Sequence, residues 1–599
     1  MTPLRFLTVA LFIGLGLHAA EPVSRVASEP PEQTAVRGLV QWRTWGSDLP
    51  EAARQAGKPI YVFAGSRLNE LTRVTVQQSF SNPETAAFLN RYFLCVLVDL
   101  DEQGALGAVI RAHLSLIRQT EGLPVHLWLS PDLRVIEAAA YLAPTEEWGR
   151  PGFMQLAGQV KDAWLADPKN CGARIAETLA LAADAAAKET APPADVSNIR
   201  ILIDRAAARW REKADATNGG FGDAPKQPQP ELLRFFLTRP DPDRALALFT
   251  LRAMANSALR DPLDGGFFRY STDAAWQLPS FQKRAVDQAR MALAYLEADA
   301  VSPDPVMRAA AQGALDYVLA KLALPKGGFA FAEEGSAASP DSPFLWSREE
   351  LGSALGSAAD TFFKRHRVAQ EGSFSNEQDP GAHLKRLYVL RSSLPSSPDD
   401  NAQLSKVVAL QKGKPAPLRD ERSFVGSQAF LLVAFSRAAV QLKEPRYREA
   451  ADKLYLTLRT FISDGPSLPV HRMAGSTEPA SPTDLAALAW AFRVYGKEMT
   501  KPEPADWSDR LLRKLAAESL DETKGCFIVP PLQPRFGLLA YRAPALAEPC
   551  HAEALALLGG FGGREAAALR SGMAERLRRE DDTENGDLLL ALGAGLAGR

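Results

Sequence analysis

Carboxylates in the middle of the sequence have the residue type that general acid–base chemistry needs. Cleavage of a glycosidic bond uses two carboxyl groups, a protonated one with a raised pKa and an ionised one, on either side of the bond. The candidates for such a pair are Asp273, Asp287, Glu333, Glu334 and Asp484. Helical proteins also carry carboxylates at helix ends. Capping, or pairing with Arg269 and Lys283, is therefore the favoured role of Asp273 and Asp287.

Aromatic residues near these carboxylates offer flat apolar faces of the kind that bind sugar rings. The candidate platform is Phe267, Tyr270, Trp276 and Trp346, and packing in a helical core explains the same residues equally well. A carbohydrate-like or other small polar molecule is the ligand that such a site would recognise. The candidate ligand-binding set is Phe267, Arg269, Tyr270, Asp273, Trp276 and Lys283.

Other chemistries find little support in the 599 residues. No two of the seven histidines have ligand spacing on one helix face, and we expect no metal site. A P-loop, a dinucleotide fingerprint and a G-x-S-x-G motif are all missing, and we expect no cofactor. The net charge of −2 predicts no general attraction to nucleic acid or anionic lipid. The four cysteines are Cys95, Cys171, Cys526 and Cys550. Their spacing does not decide which of them, if any, form disulfides.

The N-terminal part of the chain alternates between predicted strands and helices. Apolar runs predict strands at 58–64, 96–99, 125–129 and 135–142, and Asn82 and Pro83 mark the start of one intervening helix. The order β-α-β-α-β-β-α over about 120 residues is typical of the thioredoxin fold. Pro124, at the start of the final hairpin, stands where thioredoxins hold a cis-proline.

Beyond residue 197 the apolar period becomes helical. Hairpins of about 45–60 residues predict an open solenoid or a closed (α/α)6 ring, and their irregular spacing favours the ring. Glycine followed by an aromatic recurs at the junctions, and we expect the glycines to turn the chain while the aromatics line the mouth. These corners are Gly219-Gly-Phe221, Gly265-Gly-Phe267, Gly327-Gly-Phe329, Gly372-Ser-Phe374 and Gly525-Cys-Phe527.

Several of these segments resemble the spermatogenesis-associated protein 20 family, the YyaL-like proteins. The N-terminal matches are Lys58-Pro-Ile60, Gln78-Ser-Phe80, Ala86 to Asn90, Val98-Asp99 and Gly122-Leu-Pro124. That family joins a thioredoxin-like domain to a six-hairpin glycosidase-like toroid and usually carries a C-H-W-C-H block before an E-S-F. Counting back from Ser79 and Phe80 places the two cysteine positions on Asn69 and Thr72. Dithiol exchange needs two thiols, so redox activity is expected to be lost.

The resemblance continues in residues 219–226 and 265–273, with Trp276 and residues 279–283, and it implies a fold associated with carbohydrate metabolism. Where the family has G-G-F-H-R-Y and P-H-F-E-K-M, this chain has Phe268, Ser280 and Gln282, which removes two histidines and one carboxylate. Arg269 lies in a retained block and is the residue most expected to face a ligand.

The first 20 residues, with Arg5 and an apolar run ending in small residues, predict a cleaved signal peptide and a secreted or periplasmic protein without a membrane anchor. The predicted domains are a thioredoxin-like domain at 21–170, a linker at 171–196 and the toroid at 197–599.

Three functions follow as hypotheses. The leading one is a redox-inactive protein whose toroid binds a carbohydrate-like or small polar ligand with catalysis lost or altered. The second is a glycoside-acting hydrolase or epimerase that uses the surviving carboxylates. The third is a structural protein whose thioredoxin-like face binds a partner near Pro124.

Overall fold

The structure of the protein is a computed structural model. It describes residues 39–118, 120, 122–147, 149–188, 198–335, 340–368, 371–375, 383–463, 465, 467–476, 478–523, 525–527, 551–579 and 586–596. The described residues form two compact units, one within 25–193 and 515–549 and the other within 194–514 and 550–599. The predicted signal segment 1–20 and Cys550 lie outside the described residues.

The N-terminal unit is an α/β domain built on a five-stranded sheet of order β1-β3-β2-β4-β5. Strands β1, β2 and β3 are parallel, and β4 and β5 add antiparallel to them. The strands are β1 Trp42–Thr44, β2 Ile60–Gly65, β3 Leu94–Asp99, β4 Val125–Leu129 and β5 Val135–Ala139. The helices are α1 Leu49–Ala56, α2 Glu70–Thr75, α3 Pro83–Tyr92, α4 Gly104–Arg118, α5 Phe153–Ala166 and α6 Ala173–Lys188.

Strand β2 is buried along its whole length because helices cover both faces of the sheet. Alternate residues Ile60 and Val62 pack into a core with α1 and α4, whereas Tyr61 and Phe63 pack into a second core with α3 and α5. The thioredoxin-like order predicted from the sequence is confirmed. The Leu123-Pro124 peptide bond is cis.

Two features of this unit differ from the sequence-based expectation. Strand β1 has only three residues, too few for an alternating pattern to be recognised. Most of the predicted linker 171–196 is helix α6, whose Leu179 is buried in the core that contains Val62. This helix packs on β5 and α4, so the domain continues to Lys188.

The C-terminal unit is an all-α (α/α)6 toroid. Its inner helices are α8 Pro230–Leu237, α10 Ala285–Val301, α15 Val425–Gln441, α17 Pro482–Glu498, α19 His551–Leu558 and α21 Gly586–Leu596. Each inner helix contacts the next in this order, and α21 contacts α8, so the ring closes. The outer helices are α7 Ile199–Glu212, α9 Asp243–Ala255, α11 Pro305–Tyr317, α16 Pro445–Arg459, α18 Glu503–Ser519 and α20 Gly563–Arg579.

Outer and inner helices alternate along the chain, so all six inner helices run in one direction and begin at the same end of the ring. The third hairpin holds an insertion between α11 and α15, with helices α12 Arg348–Leu355, α13 Ala359–Arg365 and α14 Pro398–Gln411. The short strands of this region are β6 Gln282–Arg284, β7 Ala332–Glu334, β8 Trp346–Ser347, β9 Leu387–Tyr388 and β10 Leu418–Asp420. Strands β8 and β9 pair with each other inside the insertion. Strand β7 is the centre of a sheet with β6 and β10.

Two of the glycine-aromatic corners are hydrogen-bonded to a glutamine of an inner helix. Gln288 of α10 donates from Nε2 to the carbonyl of Phe267 and accepts its N–H, both at 2.7 Å. Gln428 of α15 holds Phe329 in the same way, at 2.8 and 3.0 Å. Gly265 and Gly327 have positive φ, which glycine adopts without strain. The corners therefore lock each turn to the helix that follows it.

One segment departs from the predicted toroid boundaries 197–599. Residues 515–549 group with the N-terminal unit, and their described part contains the strand pair β11 Leu520–Asp521 and β12 Cys526–Phe527. The ring does not need this segment, because α17 contacts α19 directly.

Candidate functional site

The interior of the ring carries charged side chains on helices that are otherwise buried. Between residues 288 and 299 of α10, only Arg290 and Glu297 are less than fully buried. They lie seven residues apart, which places them on one face of the helix. Both reach the inner helices on either side, and about a quarter of each side chain is exposed (23% and 26%). This face of α10 therefore points towards the ring axis.

Two ion-pair clusters join the inner helices at this face. Arg290 donates to both oxygens of Glu231 on α8, at 2.5 and 2.6 Å. One to two turns further along α10, Glu297 accepts from Arg234 of α8 at 2.7 and 3.0 Å and from Arg437 of α15 at 2.5 Å. The five residues provide three positive and two negative charges. We call them the axial charge cluster.

An aromatic pair adjoins the axial charge cluster. The guanidinium of Arg290 lies 5.9 Å from the ring centroid of Phe430 on α15. Phe430 in turn meets Trp490 of α17 edge to face, with centroids 5.3 Å apart. The interior thus combines partly exposed charged groups with a buried aromatic pair behind them.

Asp287 lies in the first turn of α10, at the end of the ring where the inner helices begin. Arg284 donates to both of its oxygens at 2.7 Å. Burial alone would raise the pKa of Asp287, but the charges of Arg284, Arg269 and Arg290 outweigh it and hold the pKa below its ordinary value. For Glu297, burial is likewise outweighed by Arg234 and Arg437, and its pKa is lowered. Both carboxylates are therefore ionised near neutral pH.

The other predicted catalytic carboxylates have structural partners. Asp273 orders its own loop, accepting from the backbone N–H groups of Ala275 and Gln277 at 2.7 and 2.9 Å. Asp484 forms a capping box with Ser481 at the start of α17. It also accepts from Arg472 at 3.1 Å.

Glu333 lies on β7, opposite Lys283 of β6. It accepts from the hydroxyl of Tyr317 at 2.8 Å, and burial together with this charge raises the pKa of Tyr317. Its neighbour Glu334, on the opposite face of the sheet, accepts from Gln282 at 3.0 Å. The five sequence candidates are thus distributed among loops, strands and helix starts and do not form one cluster.

Two members of the predicted ligand-binding set, and a third ring of the predicted aromatic platform, lie in the core. Phe267 is fully buried and stacks on Tyr295, with centroids 5.3 Å apart. Trp276 is buried, and its indole N–H donates to the carbonyl of Asn218 at 3.1 Å. Trp346, from the same predicted platform, is buried as well. None of these three rings lines an open surface, because each is packed inside the unit.

Lys283 is buried in a cage of opposite charge and aromatic rings. Its Nζ donates to Asp261 and Asp264 at 2.7–2.8 Å and lies within 5 Å of the ring centroids of Phe268 and Tyr317. A ligand cannot reach this ammonium without opening the cage. Lys283 is therefore a structural residue in this conformation.

Arg269, Tyr270 and Asp273 are the predicted ligand-binding residues with accessible surface, Arg269 exposed and the other two half-buried. Arg269 donates to Gln282 at 3.0 Å, and Gln282 donates on to Glu334. The charge of Arg269 also lowers the pKa of Asp287. Arg269 therefore lies at the same end of the ring as the start of α10.

The axial charge cluster was missed by the sequence analysis, although a signal for it exists. Arg437 is the single charged residue of α15, and Glu231 and Arg234 are the two charged residues of α8. An ionisable residue in an otherwise apolar helix is costly to bury without a partner. Because the partners lie on helices far apart in sequence, pattern alone does not bring them together.

In the N-terminal unit, the positions aligned with the family's cysteines form a helix cap. Asn69 is the N-cap of α2, and its Oδ1 accepts from the N–H of Thr72 at 2.9 Å and from its hydroxyl at 3.1 Å. Of the cysteines, Cys95, Cys171 and Cys526 are buried thiols and form no disulfide with one another. Burial raises the pKa of Cys95 to about 12, so the reactive thiolate is not populated near neutral pH.

Among the described residues, no group of three or more His, Cys, Asp or Glu side chains is placed to hold a metal ion. None of the described helices is both long and apolar enough to cross a membrane.

Several known proteins are similar in fold or sequence. One solved structure that superposes on this chain is a sugar epimerase from a ruminal bacterium. The two are 10% identical and superpose with a TM-score of 0.44, over 67% of this chain and 99% of the epimerase. A cellobiose 2-epimerase from Spirochaeta thermophila superposes at 18% identity and a TM-score of 0.41, over 65% and 88%. The ring itself is established by the helix contacts given above.

In sequence, residues 30–181 match the family described as "Protein of unknown function, DUF255" (Thioredox_DsbH). Spermatogenesis-associated protein 20 of Mus musculus is 28% identical over 59% of this chain and 48% of its own length, and that of Homo sapiens is 26% identical over 68% and 57%. The chain thus spans about half the length of these relatives. The chain is thus similar to the DUF255 family over residues 30–181 and to spermatogenesis-associated protein 20 over more than half of its length.

Proposed function

We propose that the toroid binds a small polar, carbohydrate-like ligand in its interior and does not turn it over. The observation that carries this proposal is the axial charge cluster, Glu231, Arg234, Arg290, Glu297 and Arg437, next to the aromatic pair Phe430 and Trp490. Arginine guanidiniums donate hydrogen bonds to hydroxyl groups and carboxylates accept them, and about a quarter of the Arg290 and Glu297 side chains is exposed.

The state of the interior carboxylates favours binding over hydrolysis. A glycosidase acid has to hold a proton near neutral pH, which requires a raised pKa. The pKa values of Asp287 and Glu297 are lowered, and Glu231 accepts two hydrogen bonds from Arg290. Asp264 does have a raised pKa, but it forms an ion pair with the buried Lys283.

A ligand screen with matched variants tests the proposal. Isothermal titration with neutral mono- and disaccharides should show binding to the full chain, and Arg290→Gln should weaken it about tenfold or more, since hydrogen bonds to a charged group contribute about 1.5–3 kcal/mol. Arg252→Gln is the control, because Arg252 pairs with Asp304 on the outer layer and is exposed. Equal affinities of the wild-type protein and Arg290→Gln would reject the interior as the binding site.

We also propose that the N-terminal domain is redox-inactive and that the protein is exported. The first part rests on Asn69 and Thr72, which have an amide and a hydroxyl where exchange needs two thiols. An insulin-reduction assay should give the uncatalysed rate. Catalysed reduction that is lost when the cysteines of this chain are replaced by serine would contradict the proposal.

Export rests on the apolar segment within residues 1–20. Expression of the full chain in a Gram-negative bacterium should give periplasmic protein that begins near residue 21. Intact protein confined to the cytoplasm would contradict it.

A further inference from the structure

A cavity of about 250 Å³ lies beside the outer helix α11, outside the ring interior. Its walls come from the loop before α10, the helix α11, the end of α13, and α14 with the segment that leads into it. Arg260, Gly313, Ser393, Ser396 and Asn401 are among the residues that line it. No residue of the axial charge cluster lines this cavity.

The most unusual residue of this wall is Arg260. Only 8% of its surface is exposed, its Nη1 donates to the hydroxyl of Ser392 at 2.8 Å, and its Nε has no partner among the described residues. No carboxylate of the described chain forms an ion pair with it. Burial lowers the pKa of Arg260, and the charges of Asp261 and Asp264 only partly oppose this effect. A buried charge in this condition is costly unless a counter-ion is supplied.

The backbone makes room for this guanidinium. A Cβ atom at Gly313 would lie 2.5 Å from Nη2 of Arg260, and one at Gly265 would lie 3.1 Å from it. Gly313 is inside helix α11, where glycine is less favourable than alanine by about 1 kcal/mol. Gly313 therefore lowers the stability of α11, but a larger residue at this position would displace the guanidinium of Arg260.

The carboxylates that line the cavity are bonded to side chains other than Arg260. Each lies within 3.0 Å of its own partner, and none of those partners is Arg260. The pairs are Asp264 with Lys283, Asp316 with Arg446, and Asp400 with Arg365 and His366. Lys283 is shared between Asp264 and Asp261, whose charges also act on Arg260. Among the described residues, Arg260 thus has no carboxylate in ion-pair contact.

We propose that this cavity binds a phosphate group, with Arg260 as the charged donor and the hydroxyls of Ser393 and Ser396 as neutral donors. A guanidinium presents several N–H donors in a plane, which suits two oxygens of a phosphate at once. The volume is below the roughly 300 Å³ of the smallest pockets for drug-sized ligands, so it fits a free phosphate or a small phosphate ester.

Titration of the full chain with inorganic phosphate tests the proposal. The wild-type protein should bind at millimolar concentration or below, and Arg260→Gln should bind about tenfold more weakly or not at all. The variant Ser393→Ala/Ser396→Ala keeps Arg260 in place and should lose affinity several-fold, so the test stands even if Arg260→Gln does not fold. A parallel titration with glycerol 3-phosphate distinguishes free phosphate from an ester, according to which binds more tightly.

Two controls separate this site from the others. Arg252→Gln on the outer helix α9 and Arg290→Gln in the ring interior should both leave phosphate affinity unchanged. Absence of binding to the wild-type protein, binding unchanged by Arg260→Gln, or binding lost in Arg290→Gln alone would overturn the proposal. Acetate bound as tightly as phosphate would also overturn it, since the site would then select any small anion.

Discussion

The pair formed by Arg290 and Glu231 shows how single residues fix the interior of the ring. Both side chains are mostly buried, and the bidentate geometry satisfies two carboxylate oxygens at once. Such a pair is weak evidence for net stability, because each charge lost its hydration on folding. Removing only one partner is expected to destabilise the folded protein, because the remaining charge stays buried and unpaired.

Arg290→Met should accordingly reduce the free energy of unfolding by about 3 kcal/mol, whereas the double change Glu231→Leu/Arg290→Met should cost clearly less. Urea unfolding of the wild type, the two single variants and the double variant gives the coupling energy directly. Additive costs would show that the two charges do not interact as described.

The stability of the ring should also depend on pH. The pKa values of Asp287 and Glu297 are lower in the folded protein, so their contribution is present above the unfolded values near 4 and is lost as pH falls through the folded values. The urea midpoint of the wild type should therefore fall below about pH 4. Asp287→Asn/Glu297→Gln should be less stable at pH 7 and show a shallower fall on acidification. Parallel curves for the two proteins would contradict the assignment.

At the scale of elements, the corners and inner helices form repeated units. Gln288 and Gln428 each bond both backbone groups of a buried phenylalanine, and so connect a loop to the first turn of the next inner helix. The glycine-aromatic repeat was visible in the sequence. The sequence did not show whether the aromatics of this repeat face the core or the mouth of the ring. A shift of one residue in the turn would be enough to turn Phe267 from one to the other.

Gln288→Ala should lower the free energy of unfolding by roughly 2–5 kcal/mol, because it leaves the N–H and the carbonyl of Phe267 buried without partners. Gln277→Ala is the matched control on an exposed loop and should change it by less than about 0.5 kcal/mol. Denaturant unfolding of both variants measures the difference. Similar values for the two would mean that the corner is not held by Gln288.

The same scale explains what the sequence could predict. Strands such as β2 and β4 are continuous apolar runs, and helix starts such as Asn82 have a local signature, so their order could be read directly. Helix α6 was mistaken for a linker because its alanine-rich sequence resembles the Pro/Ala/Glu stretch that follows it. The axial charge cluster depends on contacts between helices that are 59 to 140 residues apart, and no local pattern contains that information.

At the scale of the whole molecule, both units retain their scaffold while the expected reactive groups are replaced or engaged. In the thioredoxin-like unit, Asn69 and Thr72 cap a helix where the related family has a dithiol. In the toroid, the ring is closed and its interior is polar, yet the carboxylates that surround it are paired. A binding protein needs such a shaped and charged interior, and it does not need a protonated acid.

The most direct test of this account is an NMR experiment on the full chain with a disaccharide selected by titration. Saturation transfer from the protein should reach the sugar protons, be lost in Arg290→Gln and persist in Arg252→Gln. Over days, the sugar spectrum should show no new anomeric or C2-epimer resonances. Appearance of such resonances with the wild type, and their loss in Asp287→Asn, would contradict the account and show that the ring is an enzyme.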